Sequence, residues 1–563
     1  MVTKSKTTCE VCKLDRGCKT PGMKYHGEGR KKILIIGDSP TRNDDDYGVP
    51  LVGESGSFLM NSLTHLGIDL NKDCWRTNAV KCFIPKGKKP TKRELRCCRE
   101  KLVEEINVLN PMFIWLFGPS AIESFYMDKF SGLGITRWRG LCIPDPITNA
   151  WIFPMYHPSH VLQNIHDENL DAIFMMDLKK AVRGANRVER PAFPDLEKSV
   201  KLITKIEKVI KYLRYIKKEK PMIFFDYETT SLKPFNKGNR IWSISIAFDD
   251  DAIAFPLAYP WFEEEDQGTI SYLWGKILQD PKIKKVAHSL KFEDMWSRHI
   301  FGLDKVAGWE NCTQATAHIL DSRTKFTGLK FQSYINFGVY GYDKEIKSHL
   351  VPKDTKSINT VDQFPLNKLL LYNALDAKLT RMLYFKQQKT LRRKPELQRA
   401  TEFFTEGLLT LSDTTMNGIT IDPIYYMEIA KSLDEELESI TKTITGGDEA
   451  RKFKKIVGRD LQIKTKDIST KDLRDLFEKV LKVKSVKPTA TGLMSTDVEV
   501  LNNIGIPIAD AILRRRKLMK MRNTYVQQMF DWETEGKIYP FFDLHTVQTG
   551  RSSAANPSLL LVA

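Results

Sequence analysis

Two carboxylates at the end of an apolar segment are the first residues whose types and spacing indicate chemistry. Asp226 and Glu228 lie two positions apart in the run MIFFDYETTSL, which is typical of a buried β-strand. Because side chains at i and i+2 of a strand point to the same face, both carboxylates can serve one site. Hard carboxylate oxygens on a rigid strand suit Mg²⁺ or Mn²⁺. Later segments supply matching groups: Tyr372 and Asp376 at a helical spacing of four, and the neighbours Glu293 and Asp294.

Cysteines form a second set of candidate ligands. Cys9 and Cys12 make a C-x-x-C pair, and Cys82 and Cys98 lie 16 positions apart around a helical stretch. Four thiolates supplied in this way can hold an iron–sulfur cluster or a structural zinc ion. Cys97 is the alternative to Cys98, because the two are adjacent. We interpret the remaining cysteines as packing residues: Cys18, Cys74, Cys142 and Cys312.

The segments that must position these residues divide the chain into three units. Over residues 1–183, short apolar runs such as KILIIGD and FIWLFG alternate with helical stretches, which predicts an α/β unit with a largely parallel sheet. Residues 184–200 contain two prolines and little periodicity, which indicates a linker. Residues 201–395 begin with a basic amphipathic helix at 201–220 and continue with strands and helices, whereas residues 396–563 are mainly helical. The predicted class is a multidomain α/β protein.

The composition limits the class of protein further. The chain has 563 residues and a formal net charge of +17, with 28% charged and 42% hydrophobic residues. These fractions exclude a wholly disordered chain and a bundle of membrane helices, and no apolar run approaches the roughly 18 residues that a spanning helix needs. No apolar segment typical of a secretion signal follows the first lysines, so we expect a cytoplasmic protein without a membrane partner. A basic balance over the whole chain indicates a polyanionic partner, most often nucleic acid.

The acidic segments resemble the 3′–5′ proofreading exonuclease of family A DNA polymerases, of the bacterial DNA polymerase I type. In that family an Asp-x-Glu strand, an Asn-x-x-x-Asp segment and a Tyr-x-x-x-Asp helix surround two metal ions, and the resemblance implies an RNase H-like domain with two divalent cations, Mg²⁺ or Mn²⁺. The corresponding catalytic and metal residues are Asp226, Glu228, Glu293, Tyr372 and Asp376. By this resemblance, Tyr372 orients the attacking water. Ser289 replaces the family's Asn and Glu293 its Asp, and the adjacent Asp294 is the alternative ligand.

The cysteines and four short segments resemble the iron–sulfur uracil-DNA glycosylases, usually called family 4, over roughly residues 5–180. The segments are GDSP, GVPLVGESGSFL, TNAVKC and YHPSH. The resemblance implies an α/β/α domain with a [4Fe–4S] cluster and a pocket that reads a flipped base and stabilises negative charge on it. The implied ligands are Cys9, Cys12, Cys82 and Cys98, and the implied pocket residues are Asp38, Asn78 and His157. Because Leu51 replaces the family's stacking aromatic, we expect a cluster-bearing DNA-binding or structural domain rather than an active glycosylase.

The last unit resembles the beginning of the family A polymerase region, which forms the thumb and the start of the palm. The matching segments are LLTLSDTTMNGITID, ISTKDLRDLF, TGLMSTDVEVL and the helix AILRRRKLMKMRNTY. No acidic residue interrupts the basic residues of this helix, which makes it a candidate for phosphate contact. They are Arg514, Arg515, Arg516, Lys517, Lys520 and Arg522. The run HTVQTGRSSAANPSL resembles a family segment that contacts the primer–template, and the match implies this role for Thr546, Thr549 and Arg551.

The match ends at Ser558-Leu559, before any palm aspartate, and the chain continues as LLVA. Our hypothesis is that the chain is the N-terminal part of a phage-type family A polymerase, truncated by an intron, a split gene or a frameshift, which would act in the host cytoplasm. We expect metal-dependent 3′–5′ exonuclease activity and DNA binding, with polymerisation only if a separate palm–fingers chain completes the enzyme. The alternatives are a uracil-DNA glycosylase-type repair enzyme and a non-enzymatic DNA-binding subunit of a split polymerase.

Overall fold

The computed structural model describes most of the chain, in eight segments. They are residues 8–85, 88–127, 129–130, 134–187, 189–258, 261–463, 467–483 and 493–559. The final run LLVA, residues 560–563, lies outside the described residues. Among the described helices, none has both the length and the apolar character that crossing a bilayer requires.

A five-stranded sheet with the order β2-β1-β3-β5-β4 organises the N-terminal unit. Its strands are β1 (Ile33–Gly37), β2 (Cys74–Asn78), β3 (Phe113–Phe117), β4 (Ile143–Asp145) and β5 (Ala150–Met155). Strand β4 is antiparallel to β5, and the other described pairings in this sheet are parallel. The helices are α1 (Thr8–Cys12), α2 (Arg42–Tyr47), α3 (Glu54–Thr64), α4 (Lys92–Leu109), α5 (Pro119–Tyr126), α6 (Ile135–Trp138), α7 (Pro158–Gln163) and α8 (Glu168–Ala185).

Both faces of this sheet are buried, as the continuous apolar strands predicted. Along β1, Leu34 and Ile36 belong to one hydrophobic core, and Ile33 and Ile35 belong to another on the opposite face. Helices therefore cover the sheet on both sides, which is the arrangement that nearly parallel sheets require. The predicted α/β/α class is confirmed for this unit.

A six-stranded sheet with the order β11-β10-β7-β8-β9-β6 organises the middle unit. Its strands are β6 (Val200–Leu202), β7 (Ile223–Thr229), β8 (Ile241–Phe248), β9 (Asp251–Pro256), β10 (Lys285–Ala287) and β11 (Trp309–Cys312). The helices are α9 (Ile206–Glu219), α10 (Glu264–Leu278), α11 (Leu290–Phe301), α12 (Thr313–Leu320), α13 (Leu329–Phe337), α14 (Lys347–Leu350) and α15 (Leu366–Leu391). Strands β7, β8 and β9 form an antiparallel meander, and β10 and β11 extend it in parallel beyond β7.

The helix predicted over residues 201–220 begins later than the sequence pattern indicated. Helix α9 starts at Ile206, because Val200–Leu202 forms the edge strand β6. This strand pairs in parallel with residues 252–254 of β9. Pairing with an available sheet edge therefore overrides the helical periodicity of this segment.

The C-terminal unit is mainly helical, as predicted. Its helices are α16 (Pro395–Asn417), α17 (Pro423–Gly446), α18 (Asp448–Val457), α19 (Thr470–Arg474), α20 (Val498–Ile504), α21 (Pro507–Lys520) and α22 (Gln527–Trp532), with π-helical turns at Asp475–Val480 and Met521–Val526. Two small sheets contain β12 (Ile419–Thr420), β13 (Glu533–Thr534), β14 (Lys537–Ile538), β15 (Phe541–Asp543) and β16 (Ser553–Ala555). Strand β12 lies within the segment GITID, and β14 and β15 lie within GKIYPFFD.

The predicted linker is held against the N-terminal unit by an arginine. The guanidinium of Arg190 donates hydrogen bonds to the backbone carbonyls of Asn110, Pro111 and Asn149, at distances of 2.9, 3.1 and 2.7 Å. Three carbonyl acceptors on one guanidinium match its fork of donors. The linker therefore has a defined path over the unit that precedes it.

Candidate functional site

Strand β7 and helix α15 bring three of the predicted carboxylates together. One ligand oxygen from each of Asp226, Glu228 and Asp376 lies within 4.8 Å of the others, the one such group of metal-ligand types in the described residues. Asp226 and Glu228 share a face of β7, and α15 packs across β7 and β8 so that Asp376 reaches the same point. The two carboxylates of the strand and the carboxylate of the helix thus meet at one point, as the sequence predicted.

The electrostatics of this group favour binding of a cation. Burial, followed by the charge of Asp376, raises the pKa of Asp226 well above its usual range. Burial and the charge of Asp226 do the same to the pKa of Glu228. Carboxylates gathered in a buried site cannot all stay ionised without positive charge. A divalent cation with oxygen ligands supplies this charge, so the donor set fits Mg²⁺ or Mn²⁺.

The neighbours Glu293 and Asp294 point to different surroundings. Glu293 is buried, and its Oε2 accepts no hydrogen bond from the described residues. Burial, then the charges of Asp226 and Glu228, raise the pKa of Glu293, so its carboxylate faces the acidic group. The Asp294 carboxylate instead accepts hydrogen bonds from Ser412 Oγ at 2.6 Å and Trp309 Nε1 at 3.1 Å. It also pairs with Arg298 at 3.4 Å.

A lysine that the sequence analysis did not identify enters the acidic group. Lys330 Nζ lies 2.5 and 2.6 Å from the two carboxylate oxygens of Asp376. The Tyr342 hydroxyl donates a hydrogen bond of 2.6 Å to the same carboxylate. The ammonium also lies 4.3 Å from the ring centroid of Tyr372, the predicted water-orienting residue, which is buried beside the site. Because Lys330 is 46 residues away from Asp376, no local spacing in the sequence signals this contact.

Asn373 is a second residue that sequence reasoning missed. Its side-chain amide donates a hydrogen bond of 2.9 Å to Asp226 Oδ2, and its carbonyl oxygen accepts one of 2.9 Å from Ser243 Oγ. A ligand that accepts a hydrogen bond from a fixed neighbour is held in one orientation. The position of Asn373, between Tyr372 and Asp376 on α15, is the signal that points to it in retrospect.

A cavity of about 730 Å³ opens at the carboxyl ends of the N-terminal strands. It is lined by residues of the loops after β1, β2 and β5, among them Asp38, Phe83 and His157. Leu51 is buried elsewhere and does not line it, so Phe83 supplies an aromatic ring to the cavity that the sequence comparison at Leu51 did not predict. The size of the cavity suits a small ligand such as a nucleobase.

The predicted pocket residues behave differently from one another. His157 Nδ1 accepts a hydrogen bond from the Ser159 backbone amide at 3.1 Å, and burial lowers the pKa of His157, so the neutral ring carries its proton on Nε2. Asn78 is buried with both amide atoms unpaired in the described residues. It meets His157 at Gly37, where a Cβ would lie 2.5 Å from Asn78 Oδ1 and 3.5 Å from His157 Nε2.

Asp38 is bound to the protein itself. Its carboxylate lines the cavity but accepts hydrogen bonds from the backbone amides of Ser120 and Ala121, at 2.7 and 3.1 Å. These amides lie in the first turn of α5, where unpaired N–H groups favour an anion. Asp38 therefore joins the loop after β1 to helix α5.

The structure places the four predicted cysteine ligands in one region, and Cys98 is the link between them. The Cys98 thiol interacts electrostatically with Cys12 and with Cys82, whereas Cys97 interacts with Cys9 and Cys12. Backbone amides donate to sulfur at Cys82 (3.4 Å) and Cys98 (3.5 Å), and Lys101 Nζ lies 3.1 Å from Cys9 Sγ. Burial raises the pKa of the Cys82 and Cys98 thiols, and the amide donors offset this only in part. A metal site, when filled, supplies the positive charge that thiolate ligands need in these surroundings.

The basic helix α21 is less available than its sequence indicated. No acidic residue lies between its basic residues, but its three arginines, and Arg522 in the π-helical turn that follows, pair with acidic residues from other segments. Arg514 pairs with Glu436 at 2.8 Å, Arg516 with Asp467 at 2.8 Å and Arg522 with Asp434 at 3.0 Å, while the buried Arg515 lies 3.8 Å from Asp467. The remaining basic residues, Lys517 and Lys520, are exposed. The basic run contains no acidic residue of its own, as the sequence showed, but the fold brings acidic partners to it from other segments.

The predicted primer–template residues lie at the surface. Thr546, Thr549 and Arg551 are all exposed, in the segment between β15 and β16. The Asp543 carboxylate accepts a hydrogen bond from the Thr546 backbone amide at 3.1 Å and shapes the start of this segment. All three side chains are accessible to a partner.

Comparisons with known proteins match each unit to a family. Residues 23–179 match the uracil DNA glycosylase superfamily, residues 200–392 a 3′–5′ exonuclease family and residues 428–562 the family A DNA polymerases. The DNA polymerase of Bacillus phage SP01 is 23% identical over 95% of this chain and 63% of its own length. The type-4 uracil-DNA glycosylase of Thermotoga maritima is 34% identical over 28% of this chain and 79% of its own length.

DNA polymerase I of Synechocystis is 28% identical over 64% of this chain and 35% of its own length. The chain thus spans less than two thirds of the length of either polymerase. The three matched regions follow one another in the order of the three structural units. The chain thus joins an N-terminal domain that matches the uracil DNA glycosylase superfamily to a 3′–5′ exonuclease domain and to a region that matches the family A DNA polymerases.

Proposed function

We propose that this chain removes nucleotides from the 3′ ends of DNA by metal-dependent hydrolysis. The observation that carries the proposal is the convergence of Asp226, Glu228 and Asp376 within 4.8 Å, in a domain that matches the 3′–5′ exonuclease family. The buried carboxylate of Glu293 is the fourth proposed ligand, because its unpaired Oε2 lies next to this group. The biological role that fits this activity is proofreading during DNA replication.

The side chains around the site have distinct parts in this reaction. Two divalent cations, when bound, supply activation of water and stabilisation of the leaving oxygen. The four carboxylates bind these ions, and Asn373 holds Asp226 in the orientation that binding needs. Tyr372, beside Asp376 on α15, orients the attacking water through its hydroxyl. The buried surroundings strengthen each of these interactions, because they exclude competing water.

Degradation of a 5′-labelled single-stranded DNA oligonucleotide in Mg²⁺ tests the proposal directly. We expect a ladder of products shortened from the 3′ end, and EDTA should abolish it. A 3′-phosphorothioate linkage should slow removal of the terminal nucleotide, which separates this activity from a contaminating endonuclease. Intact oligonucleotide in Mg²⁺ and in Mn²⁺, with DNA binding retained, would contradict the proposal and favour a non-enzymatic DNA-binding subunit.

Glu293→Gln and Asp294→Asn form a matched pair that tests which neighbour serves the metal ions. We expect Glu293→Gln to lower the exonuclease rate about tenfold to a hundredfold and to raise the Mg²⁺ concentration needed for half-maximal rate. Asp294→Asn should leave the Mg²⁺ requirement unchanged and lower thermal stability, because its carboxylate binds Ser412, Trp309 and Arg298. Rate measurements over a Mg²⁺ titration and thermal melts decide between them. The reverse pattern would assign the ligand role to Asp294.

We propose that α21 and the segment with Thr546, Thr549 and Arg551 contact duplex DNA. Because the three arginines of α21 already pair with acidic residues, Lys517 and Lys520 are its proposed phosphate contacts. Replacing both lysines by glutamine should weaken DNA binding and reduce the slope of log K against log salt by about two. The matched control replaces the exposed Lys452 and Lys455 of α18 in the same way. Equal losses in both double variants would show a general charge effect and contradict the assignment.

For the N-terminal domain, we propose a [4Fe–4S] cluster on Cys9, Cys12, Cys82 and Cys98. A tetrahedral zinc site with Zn–S bonds of about 2.3 Å brings its sulfurs about 3.8 Å apart. In the described residues no three cysteine sulfurs lie within 4.8 Å of one another, so the side chains as they stand do not form a compact zinc site. The match to the type-4 uracil-DNA glycosylases is what supports a cluster. The iron content and the visible absorption of the purified protein distinguish the two metals.

Base excision is the second candidate function, and the cavity favours it. The neutral His157 lines the cavity with its proton on Nε2, and next to it Asn78, which is buried and is not one of the lining residues, has two unpaired amide atoms. We propose that His157 stabilises negative charge on a bound base and that Asn78 reads its polar edge once the base has entered. Release of free uracil from uracil-containing DNA in EDTA would assign this activity. Without uracil release, the domain would serve as a DNA-binding or structural module.

Nucleotide addition is a proposal about a longer assembly. The chain spans 63% of the phage polymerase that it matches along most of its own length. We propose that polymerisation depends on palm and fingers segments other than these 563 residues, in the same polypeptide or in a separate one. With DNA as substrate, the proposed place of action is the cytoplasm of the cell in which that DNA replicates.

A further inference from the structure

Helix α13 lies between the exonuclease site and the N-terminal domain. One residue of this helix, Lys330, contacts Asp376 through both carboxylate oxygens. The next residue, Phe331, belongs to the hydrophobic core of the N-terminal domain. Adjacent positions on a helix point in different directions, so a single turn of α13 serves both sites.

The contacts on the exonuclease side fix several groups at once. Lys330 Nζ lies 3.0 Å from the Tyr342 hydroxyl, and that hydroxyl donates a hydrogen bond to Asp376 at 2.6 Å. The same ammonium lies 4.4 and 4.3 Å from the ring centroids of Tyr342 and Tyr372. Lys330 therefore binds one proposed metal ligand and packs on the residue proposed to orient water.

The contacts on the opposite side anchor α13 in the N-terminal domain. The Phe331 ring packs edge-on against Trp138 at 5.1 Å, and the Arg137 guanidinium lies 3.8 Å from the Phe331 ring centroid. The Tyr334 hydroxyl donates a hydrogen bond of 2.8 Å to Asp145, which Lys129 also binds at 2.6 Å. Aromatic packing and a buried charged hydrogen bond are among the stronger local restraints in proteins.

A second connection lies just before α13 in the chain. The Arg323 guanidinium donates hydrogen bonds to the backbone carbonyls of Arg137 at 3.1 Å and Arg139 at 2.7 Å. Its charge is balanced by Asp321 at 2.5 Å. The segment that leads into α13 is thus attached to the same part of the N-terminal domain, around α6, as the helix itself.

The charge of Lys330 opposes that of the cations the site would bind. Four carboxylates and two divalent cations balance one another, so Lys330 leaves the loaded site with a net positive charge toward a phosphodiester. At the same time the Lys330 ammonium, 2.5 Å from the Asp376 carboxylate, lowers the affinity for metal ions, because like charges repel strongly in a poorly solvated site. Lys330 thus trades affinity for metal ions against orientation of Asp376 and Tyr372.

We propose that Lys330 is a positioning residue of the exonuclease site and that the N-terminal domain holds it in place through helix α13. The inference rests on the proposed exonuclease function. It assigns to the glycosylase-like domain a role in proofreading that is separate from any action on uracil. Folding of that domain and activity of the exonuclease are then coupled through one helix.

A Mg²⁺ titration of the exonuclease rate of the full chain tests the role of Lys330. For Lys330→Met we expect the maximal rate to fall about tenfold to a hundredfold, because the orientation of Asp376 and Tyr372 is lost. The Mg²⁺ concentration for half-maximal rate should fall as well, about fivefold, because a repelling charge is removed. Lys330→Arg, which keeps the charge, should retain a Mg²⁺ requirement close to that of the unmodified chain.

Two results would overturn this role. One is an unchanged rate and Mg²⁺ requirement in Lys330→Met. The other is a lower rate with a higher Mg²⁺ requirement, which a general loss of structure would produce. A complete absence of exonuclease activity in the unmodified chain would remove the proposed function together with this inference, whereas an active chain that is insensitive to Lys330→Met removes the inference alone.

Phe331→Leu and Tyr334→Phe test the coupling to the N-terminal domain. Each change loosens the anchor of α13 without touching a carboxylate of the exonuclease site, and each should lower the Mg²⁺ requirement, as Lys330→Met does, by about twofold to fivefold. The matched control is Phe58→Leu, because Phe58 packs against Phe174 in a different core of the same domain. Shifts in the two anchor variants without a shift in the control support the coupling. No shift in the anchor variants, or an equal shift in the control, overturns it.

Discussion

Replacing Asp226 by alanine is expected to abolish the exonuclease activity while leaving the protein folded. Asp226 lies at the centre of the acidic group: its carboxylate is within 4.8 Å of Glu228 and Asp376, and its charge acts on Glu293. Loss of this ligand removes several kcal/mol of stabilisation of the transition-state charge. The rate should therefore fall by a factor of about a thousand or more. Because the change removes a buried carboxylate from a repulsive group, we expect unchanged or slightly higher thermal stability.

The measurement is the initial rate of 3′ degradation of a labelled oligonucleotide in saturating Mg²⁺, with DNA affinity measured in parallel. Asp304→Ala provides a matched control, since Asp304 is an exposed aspartate of the same domain. An Asp226→Ala variant that keeps its rate within tenfold of the unmodified chain would place the nuclease site elsewhere. Retained DNA affinity with no activity is the expected pair of results.

Replacing Cys98 by serine is expected to remove the metal cofactor of the N-terminal domain. Cys98 interacts with both Cys12 and Cys82, so it joins the N-terminal C-x-x-C pair to the later cysteines. A cluster without this ligand is held by three cysteines only. We therefore expect the iron content and the visible absorption of the protein to fall to background. Because binding of a structural metal contributes directly to folding, the melting temperature should fall too.

Cys97→Ser is the control for this experiment, because Cys97 is the neighbouring residue and interacts with Cys9 and Cys12. It should retain full iron content. Loss of iron in Cys97→Ser with retention in Cys98→Ser would exchange the two assignments. Retention of iron in both, or stoichiometric zinc without iron, would contradict the proposed cluster.

Local spacing was sufficient for much of the site. Asp226 and Glu228 share a face because strand geometry requires it, and Tyr372 and Asp376 share a face because helix geometry requires it. Strands β1, β3 and β7 were predictable from the sequence as well, since their apolar runs are continuous. The edge strand β6 was predicted as helix, because nothing in Val200–Leu202 itself shows that an open edge of β9 is available.

Contacts between distant residues could not be predicted in this way. Arg514, Arg516 and Arg522 pair with acidic residues that are 49 to 88 positions away in the sequence. These arginines therefore stabilise the fold, and Lys517 and Lys520 are the basic residues of the run that remain exposed. The sequence leaves open which of the neighbours Glu293 and Asp294 serves the metal ions. The contacts of Asp294 with Trp309 and with Ser412, which is 118 residues away, distinguish them. Lys330 carries no motif at all, and its contact with Asp376 exists because α13 packs against α15.

The sequence by itself determined the order of the three domains, their fold classes and the residues whose chemistry fits metal-dependent hydrolysis, because these depend on local periodicity and on spacing within single elements. The tertiary structure alone decided which of two adjacent carboxylates faces the acidic group, which basic residues remain available for DNA, and which lysine enters the site. These depend on packing between elements that are far apart in the chain, where burial and partner charges decide the state of each side chain.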